Sequence, residues 1–273
     1  FSDHDYGVFE KVRNWGYDHV EVCIEDPSVI TAEALSAAAA AADLQVLICG
    51  AFGPNRDVSH EDAHIRQLGI DYLRHCIDVA ATVGSPLVSG PMYATTGQAR
   101  LLEPPERQAQ WDRAVRSLSQ VAAYARDAGV ALAIEPLNRF ETDLINTVDQ
   151  GLALCTDIGA GNVGLMLDTF HMNIEEKSLP AAIRRAGNML FNVQAAENDR
   201  GIPGTGHTDW DGVFAALEEI NYQGTIVVES FLPTVKEIAR AVSLWRPVAP
   251  SMDALAEDGA AFLLKALAQT GRG

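Results

Sequence analysis

Four apolar segments of the 273-residue chain carry, at or near their ends, one polar side chain that a buried strand has no use for. ALAIEP carries Glu135, VGLMLDT Asp168, LFNVQAA Gln194 and GTIVVES Glu229. They are separated by 33, 26 and 35 residues, each about one strand–helix unit. Any one of them alone reads as a helix cap or a solvated loop residue. Four at matching strand ends, each followed by further polar residues, read as a site. Three carboxylates in one pocket repel each other unless a divalent cation neutralises them. Oxygen-rich ligation suits a hard ion, Mg²⁺ or Mn²⁺.

The residues just beyond each strand end add to the set. PLNRFET supplies Asn138, Arg139 and Glu141, and TFHMNIEE supplies His171. AAENDRGIPGTGH supplies Arg200 and the glycines Gly201, Gly204 and Gly206. His171, three residues past a candidate ligand, is close enough to touch whatever a metal there would bind. The glycines could cradle a phosphate, but so short a loop is better read as a flexible turn.

Such residues meet only if the elements carrying them run side by side. Strand-like runs cover 19–24, 45–51, 86–92, 131–136, 163–169, 190–196 and 224–230, and they are apolar on both faces, as strands covered on both sides must be. Helical patterns lie between them, as at 31–44, 69–84 and 111–129. Asp26, Thr31 and Asp209 are plausible caps. Repeated strand–helix units mean a parallel sheet, either open and doubly wound or closed as a barrel. In a barrel all the strands point one way, so their C-terminal ends meet at one mouth. Seven strands are visible, and residues 5–16 read as a helix before the first of them. A closed TIM (β/α)8 barrel over residues 1–273, one domain, needs a further strand upstream of Phe1. A chain opening on Phe1 instead of Met accommodates that expectation.

Composition narrows the partners. A net charge of −17 repels phosphate backbones, so nucleic acid is not expected as a partner. No apolar run approaches the ~18 residues of a membrane span, and signal-peptide architecture is absent. Cys23, Cys49, Cys76 and Cys155 show no CxxC spacing and read as reduced, buried thiols of a cytoplasmic protein.

The segments IEPLNRFET, LMLDTFHMNIEE, NDRGIPGTGHTDW and IVVESF resemble the xylose-isomerase-like barrel superfamily of sugar isomerases and epimerases. Within it they are most similar to the ketose 3-epimerases, the D-tagatose and D-psicose (allulose) group. The stretch from Gly53 to Tyr93 fits the same group. The resemblance implies a TIM barrel, a small-molecule sugar substrate, a homo-oligomer (dimer or tetramer) and one divalent metal, with Mn²⁺ favoured and Mg²⁺ or Co²⁺ as alternatives. It places metal ligands at Glu135, Asp168 and Glu229. Gln194 falls where the family has a histidine, so an amide oxygen replaces an imidazole nitrogen, a change that leans toward Mn²⁺ or Mg²⁺. Substrate-binding positions fall on Glu141, His171 and Arg200.

The same resemblance implies a mechanism. Glu135 and Glu229 act as a catalytic pair on opposite faces of an enediolate, one removing the proton from carbon 3 of a ketose and the other returning a proton to the opposite face. Substituting Arg200 should then weaken sugar binding and leave metal affinity nearly unchanged. An aldose–ketose or hydroxypyruvate-type isomerase uses the same chemistry with a different proton destination. A lyase on an inositol-like ketone and a non-catalytic sugar-binding barrel are the remaining alternatives. A barrel endonuclease would need a basic surface and a histidine-rich cluster, which this chain lacks.

Overall fold

Seven strands alternate with helices along the chain, and every strand is parallel to, and hydrogen-bonded with, the next in sequence. They are β1 (His19–Ile24), β2 (Gln45–Gly50), β3 (Leu87–Gly90), β4 (Ala131–Ile134), β5 (Val163–Asp168), β6 (Leu190–Ala195) and β7 (Thr225–Val228). This computed structural model describes residues 2–234 and 236–269. The span 1–273 read from the sequence as one domain therefore runs past the described residues at Phe1 and at 270–273.

Parallel neighbours need long crossovers. These are supplied by α2 (Ala32–Ala41), α3 (Ala63–Val83), α4 (Pro104–Asp127), α5 (Val148–Ile158), α6 (Thr169–Glu175) with α7 (Leu179–Ala186), and α8 (Trp210–Glu219). Helix α1 (Val8–Asn14) precedes β1, while α9 (Lys236–Ala241) and α10 (Met252–Gln269) follow β7. Local chemistry sets several starts. Asp62 caps α3 by accepting from His64 N, Thr147 and Gln150 form a capping box on α5, and Asp209 caps α8 through Gly212 N. Thr31 occupies the N-cap of α2, but its hydroxyl donates to Asp3 instead of capping.

Two apolar layers hold the fold. The larger joins helices to the outer face of the sheet and includes Ile24, Leu73, Leu118, Leu154 and Val213. The smaller fills the inside of the curled sheet with Leu47, Leu87, Ala133 and Met166 from four consecutive strands, as barrel interiors require. The sheet curls far enough for Asn192 and Gln194 of β6 to hydrogen-bond Glu21 of β1. The result is a nearly closed TIM barrel of the seven expected strands. Val20, Ile226, Val228 and Leu255 line a groove between β1 and β7. Helix α10 lies over it, tied by Tyr17 Oη to Ala256 O at 2.8 Å. Among the described residues no helix is long and apolar enough to cross a membrane. All four cysteines are free thiols. Cys76 and Cys155 are buried as expected, but Cys23, next to last in β1, is exposed and Cys49 only part-buried, so that part of the expectation is corrected.

Candidate active site

The C-terminal ends of β4 to β7 bring the sequence-selected residues to one mouth. Asp168 closes β5 and pairs in register with Gln194 of β6. Glu135 follows β4 directly, anchored by its backbone N–H to Gly90 O at 3.1 Å. Glu229 follows β7, with its N–H on Ala195 O at 3.3 Å. The loop after β4 supplies Asn138 and Glu141, the first turn of α6 supplies His171, and the loop after β6 supplies Arg200.

These side chains touch. His171 Nε2 lies 3.6 Å from both Glu135 Oε1 and Asp168 Oδ2. Arg200 Nη2 donates to Glu229 Oε2 at 2.9 Å and lies 3.7 Å from Asp168 Oδ2, while Nη1 reaches Glu141 Oε1 at 3.5 Å. Phe170 and Phe231 cover the guanidinium, with ring centroids 4.6 and 4.9 Å from its carbon, an arrangement that favours a cation. Gln194 is buried beside the cluster, but its amide nitrogen turns the other way, to Glu21 Oε2 at 2.5 Å.

Electrostatics set the protonation of the group. Burial, then the charges of Glu229 and Asp168, push the Glu135 carboxyl well above the carboxylate range. Burial pushes Asp168 up to about 8, against the pull of Arg200. Burial and Arg200 hold His171 well below its ordinary value, so its ring is neutral. The backbone N–H of Asn138 donates to His171 Nδ1 at 3.1 Å. A neutral ring that accepts at Nδ1 carries its proton on Nε2. With the proton on Nε2, His171 can donate to a bound oxygen; the same nitrogen lies 3.5 Å from Arg200 Nη2, and Glu135, Asp168 and His171 each offer an atom within 4.8 Å of the others, as a cation site requires.

A divalent cation fits this donor set. Asp168 caps α6 through Oδ1, which accepts from Phe170 N at 2.8 Å, and its Oδ2 is left buried with no hydrogen-bond partner among the described residues. Gln194 Oε1 is in the same state. Two buried acceptors without hydrogen bonds on neighbouring strands are costly, and the Arg200 guanidinium at 3.7 Å answers only the Asp168 oxygen. Four carboxylates, Glu135, Glu141, Asp168 and Glu229, face one guanidinium, so the mouth is short of positive charge.

The glycine-rich turn is neither loose nor free to take a phosphate. Glu197 accepts from the backbone N–H of Asn198 (3.0 Å), Gly204 (2.8 Å) and Thr208 (2.9 Å) and from Trp210 Nε1 (3.0 Å). Burial would raise its carboxyl, but these donors outweigh burial and hold it at about 2. At Gly206 a Cβ would lie 2.1 Å from Asn198 Oδ1. The clasp also places Arg200, whose backbone adopts φ +67° and whose N–H donates to Glu197 O at 2.8 Å.

Sequence reading missed Glu21, Ser89 and Asn192. Glu21 was detectable as the one acid within the strand HVEVCI, whereas nothing in the sequence singles out Ser89 or Asn192.

Comparison with known proteins places this geometry. The family described as xylose isomerase-like TIM barrel matches residues 9–265. A D-psicose 3-epimerase of Agrobacterium fabrum is 33% identical over 247 residues, covering 89% of this chain and 85% of that protein. An L-ribulose 3-epimerase of Mesorhizobium japonicum is 35% identical over 253 residues, covering 92% and 84%. A solved structure of L-ribulose 3-epimerase superposes with a TM-score of 0.93 at 32% identity, covering 99% of this chain and 91% of the other.

Proposed function

The chain belongs to the xylose isomerase-like TIM-barrel family, and on that premise we propose that it is an isomerase inverting carbon 3 of a ketose through an enediolate. Glu135 and Glu229 are its acid–base pair, and one divalent cation, Mn²⁺ in first place, is its cofactor. The reading is carried by one observation: the two glutamates meet at the same mouth in unequal surroundings, Glu135 buried among carboxylates and Glu229 paired with Arg200 and partly open. Burial that raises the Glu135 carboxyl suits it to hold a proton, and Glu229 stands at the same mouth as the second acid–base group.

Glu135, Asp168, Gln194 and Glu229 would hold the cation. When bound, it polarises the ketose carbonyl and acidifies the neighbouring C–H. One glutamate carboxylate removes the proton from carbon 3, and the other glutamate delivers a proton to the opposite face. In the reverse direction the roles exchange. His171 donates its Nε2 proton in a hydrogen bond to an oxygen of the intermediate. Arg200 and Glu141 bind further sugar oxygens, and Arg200 lowers the cost of negative charge on the enediolate. A cytoplasmic homo-oligomer, dimer or tetramer, completes the reading on the strength of the family resemblance.

Incubating the Mn²⁺-loaded protein with a panel of ketoses in D₂O tests it. Deuterium is expected at carbon 3 of both epimers. Deuterium at carbon 1 would replace the epimerase by an aldose–ketose isomerase, loss of water would indicate a lyase, and no exchange from a bound sugar would leave a binding protein.

Stability should also respond to pH and metal together. Asp168 at about 8 and Glu21 at about 7 lie above their unfolded values. Their protonation favours the fold, so their contribution is complete below about pH 4 and is lost as pH rises toward 8. A cation held by Asp168 replaces the proton of that carboxyl. The rise in melting temperature on adding Mn²⁺ is therefore expected to be larger at pH 8 than at pH 5.5. A rise that shrinks with pH would contradict the carboxylate site.

A further inference from the structure

Glu21 lies in the middle of β1 and is half-buried inside the barrel. Its carboxylate collects donors from two other strands. Ser89 Oγ and Asn192 Nδ2 each reach Oε1 at 2.9 Å, and Gln194 Nε2 reaches Oε2 at 2.5 Å. None of these contacts is needed to close the sheet, because β1 and β6 are not neighbours in it.

A primary amide has a donor end and an acceptor end. With Nε2 tied to Glu21, Oε1 must point elsewhere, and it is buried without a hydrogen-bond partner among the described residues. The register partner of Gln194 is Asp168, whose Oδ2 is also buried without a hydrogen bond, with the Arg200 guanidinium 3.7 Å away. The opposite orientation of the amide would set Oε1 against a carboxylate oxygen and present Nε2, which cannot ligate a cation, to the mouth.

We propose that Glu21 is a positioning residue for the metal site, holding the Gln194 amide with its nitrogen toward β1 so that the oxygen is offered as a ligand. The inference rests on the metal-dependent reading above. It explains how a glutamine serves as a ligand: an amide has two chemically different ends, and something must choose between them. Ser89 and Asn192 fix Glu21 in turn, so the choice is made by three strands and no loop.

Mn²⁺ titration of the metal-free protein, followed by calorimetry or by the electron paramagnetic signal of free Mn²⁺, tests this without turnover. The proteins are the wild type, Glu21→Gln, Glu21→Asp, Gln194→Ala and the double variant Glu21→Gln/Gln194→Ala. Loss of a partner that orients a ligand typically lowers metal affinity about 10–100-fold, and this is expected for both single changes at Glu21. Glu21→Asp keeps the charge but shortens the reach to Gln194, so it should behave like Glu21→Gln. In the Gln194→Ala background, Glu21→Gln should change affinity less than about twofold, since no amide remains to orient. Wild-type affinity in Glu21→Asp would overturn the proposal in favour of a charge effect. An equal loss in both backgrounds would overturn it as well. A wild-type protein that binds no Mn²⁺ would instead refute the metal reading itself.

Discussion

Glu135→Gln and Glu229→Gln are each expected to lower turnover of the preferred ketose by two to four orders of magnitude, the range for loss of a general acid or base. The amide keeps the shape and an oxygen donor but cannot exchange a proton. The two changes should differ in stability. Glu135 is buried beside Asp168 and near Glu229 and is pushed far above the carboxylate range by burial and by their charges. The carboxyl is kept protonated by that shift, so replacing it with a neutral amide removes only the cost of charging it at higher pH, and metal-free Glu135→Gln should be at least as stable as wild type. Glu229→Gln loses a charged partner of Arg200 at 2.9 Å and should be less stable. Steady-state rates with saturating Mn²⁺, together with urea midpoints of the metal-free proteins, check both. Near-normal rates in either variant with metal bound would end the two-glutamate mechanism.

Arg200→Ala should show the largest stability effect. The guanidinium is buried between two aromatic rings and faces Glu229, Asp168 and Glu141. Removing one partner of a buried ion cluster leaves its counter-charges unpaired and costs about 3–5 kcal/mol. The metal-free variant should lose about that much near pH 7 and regain much of it with Mn²⁺, because the cation then supplies the missing charge. The sequence alone suggested unchanged metal affinity. The 3.7 Å approach to Asp168 changes that expectation: affinity should rise, because a competing cation has gone. Sugar binding should still weaken. A metal-free loss below about 1 kcal/mol would show that the carboxylates are relieved by protonation and do not depend on Arg200.

The strands were legible because each is a short apolar run bounded by turn residues, and HVEVCI coincides with β1 to the residue. Glu135, Asp168 and Glu229 stood out because an acid at the end of such a run has no packing role. Asp168 was less clear-cut, since it is a helix cap through one oxygen and a site residue through the other. What could not be read was long-range side-chain orientation. Gln194 turns its nitrogen to a residue 173 positions away, and no local pattern encodes that. The turn after β6 misled for a similar reason. Its glycines looked like flexibility, but they are required because Glu197 draws the backbone N–H groups inward and leaves no room for a Cβ at Gly206.

That turn has a consequence for substrate choice. A ring of backbone N–H groups at a barrel mouth is where a free phosphate group would be expected to settle. Here the ring already encloses a carboxylate belonging to the chain, one that stays ionised down to about pH 2. Glu197 is thus a tethered competitor whose effective concentration at the loop is at least millimolar, as for any short intramolecular link. A sugar phosphate arriving from solution would have to displace an anion that never diffuses away, and the displaced carboxylate would lose four donors at once. At this loop the backbone N–H groups of Asn198, Gly204 and Thr208 are therefore already committed to a carboxylate of the chain itself.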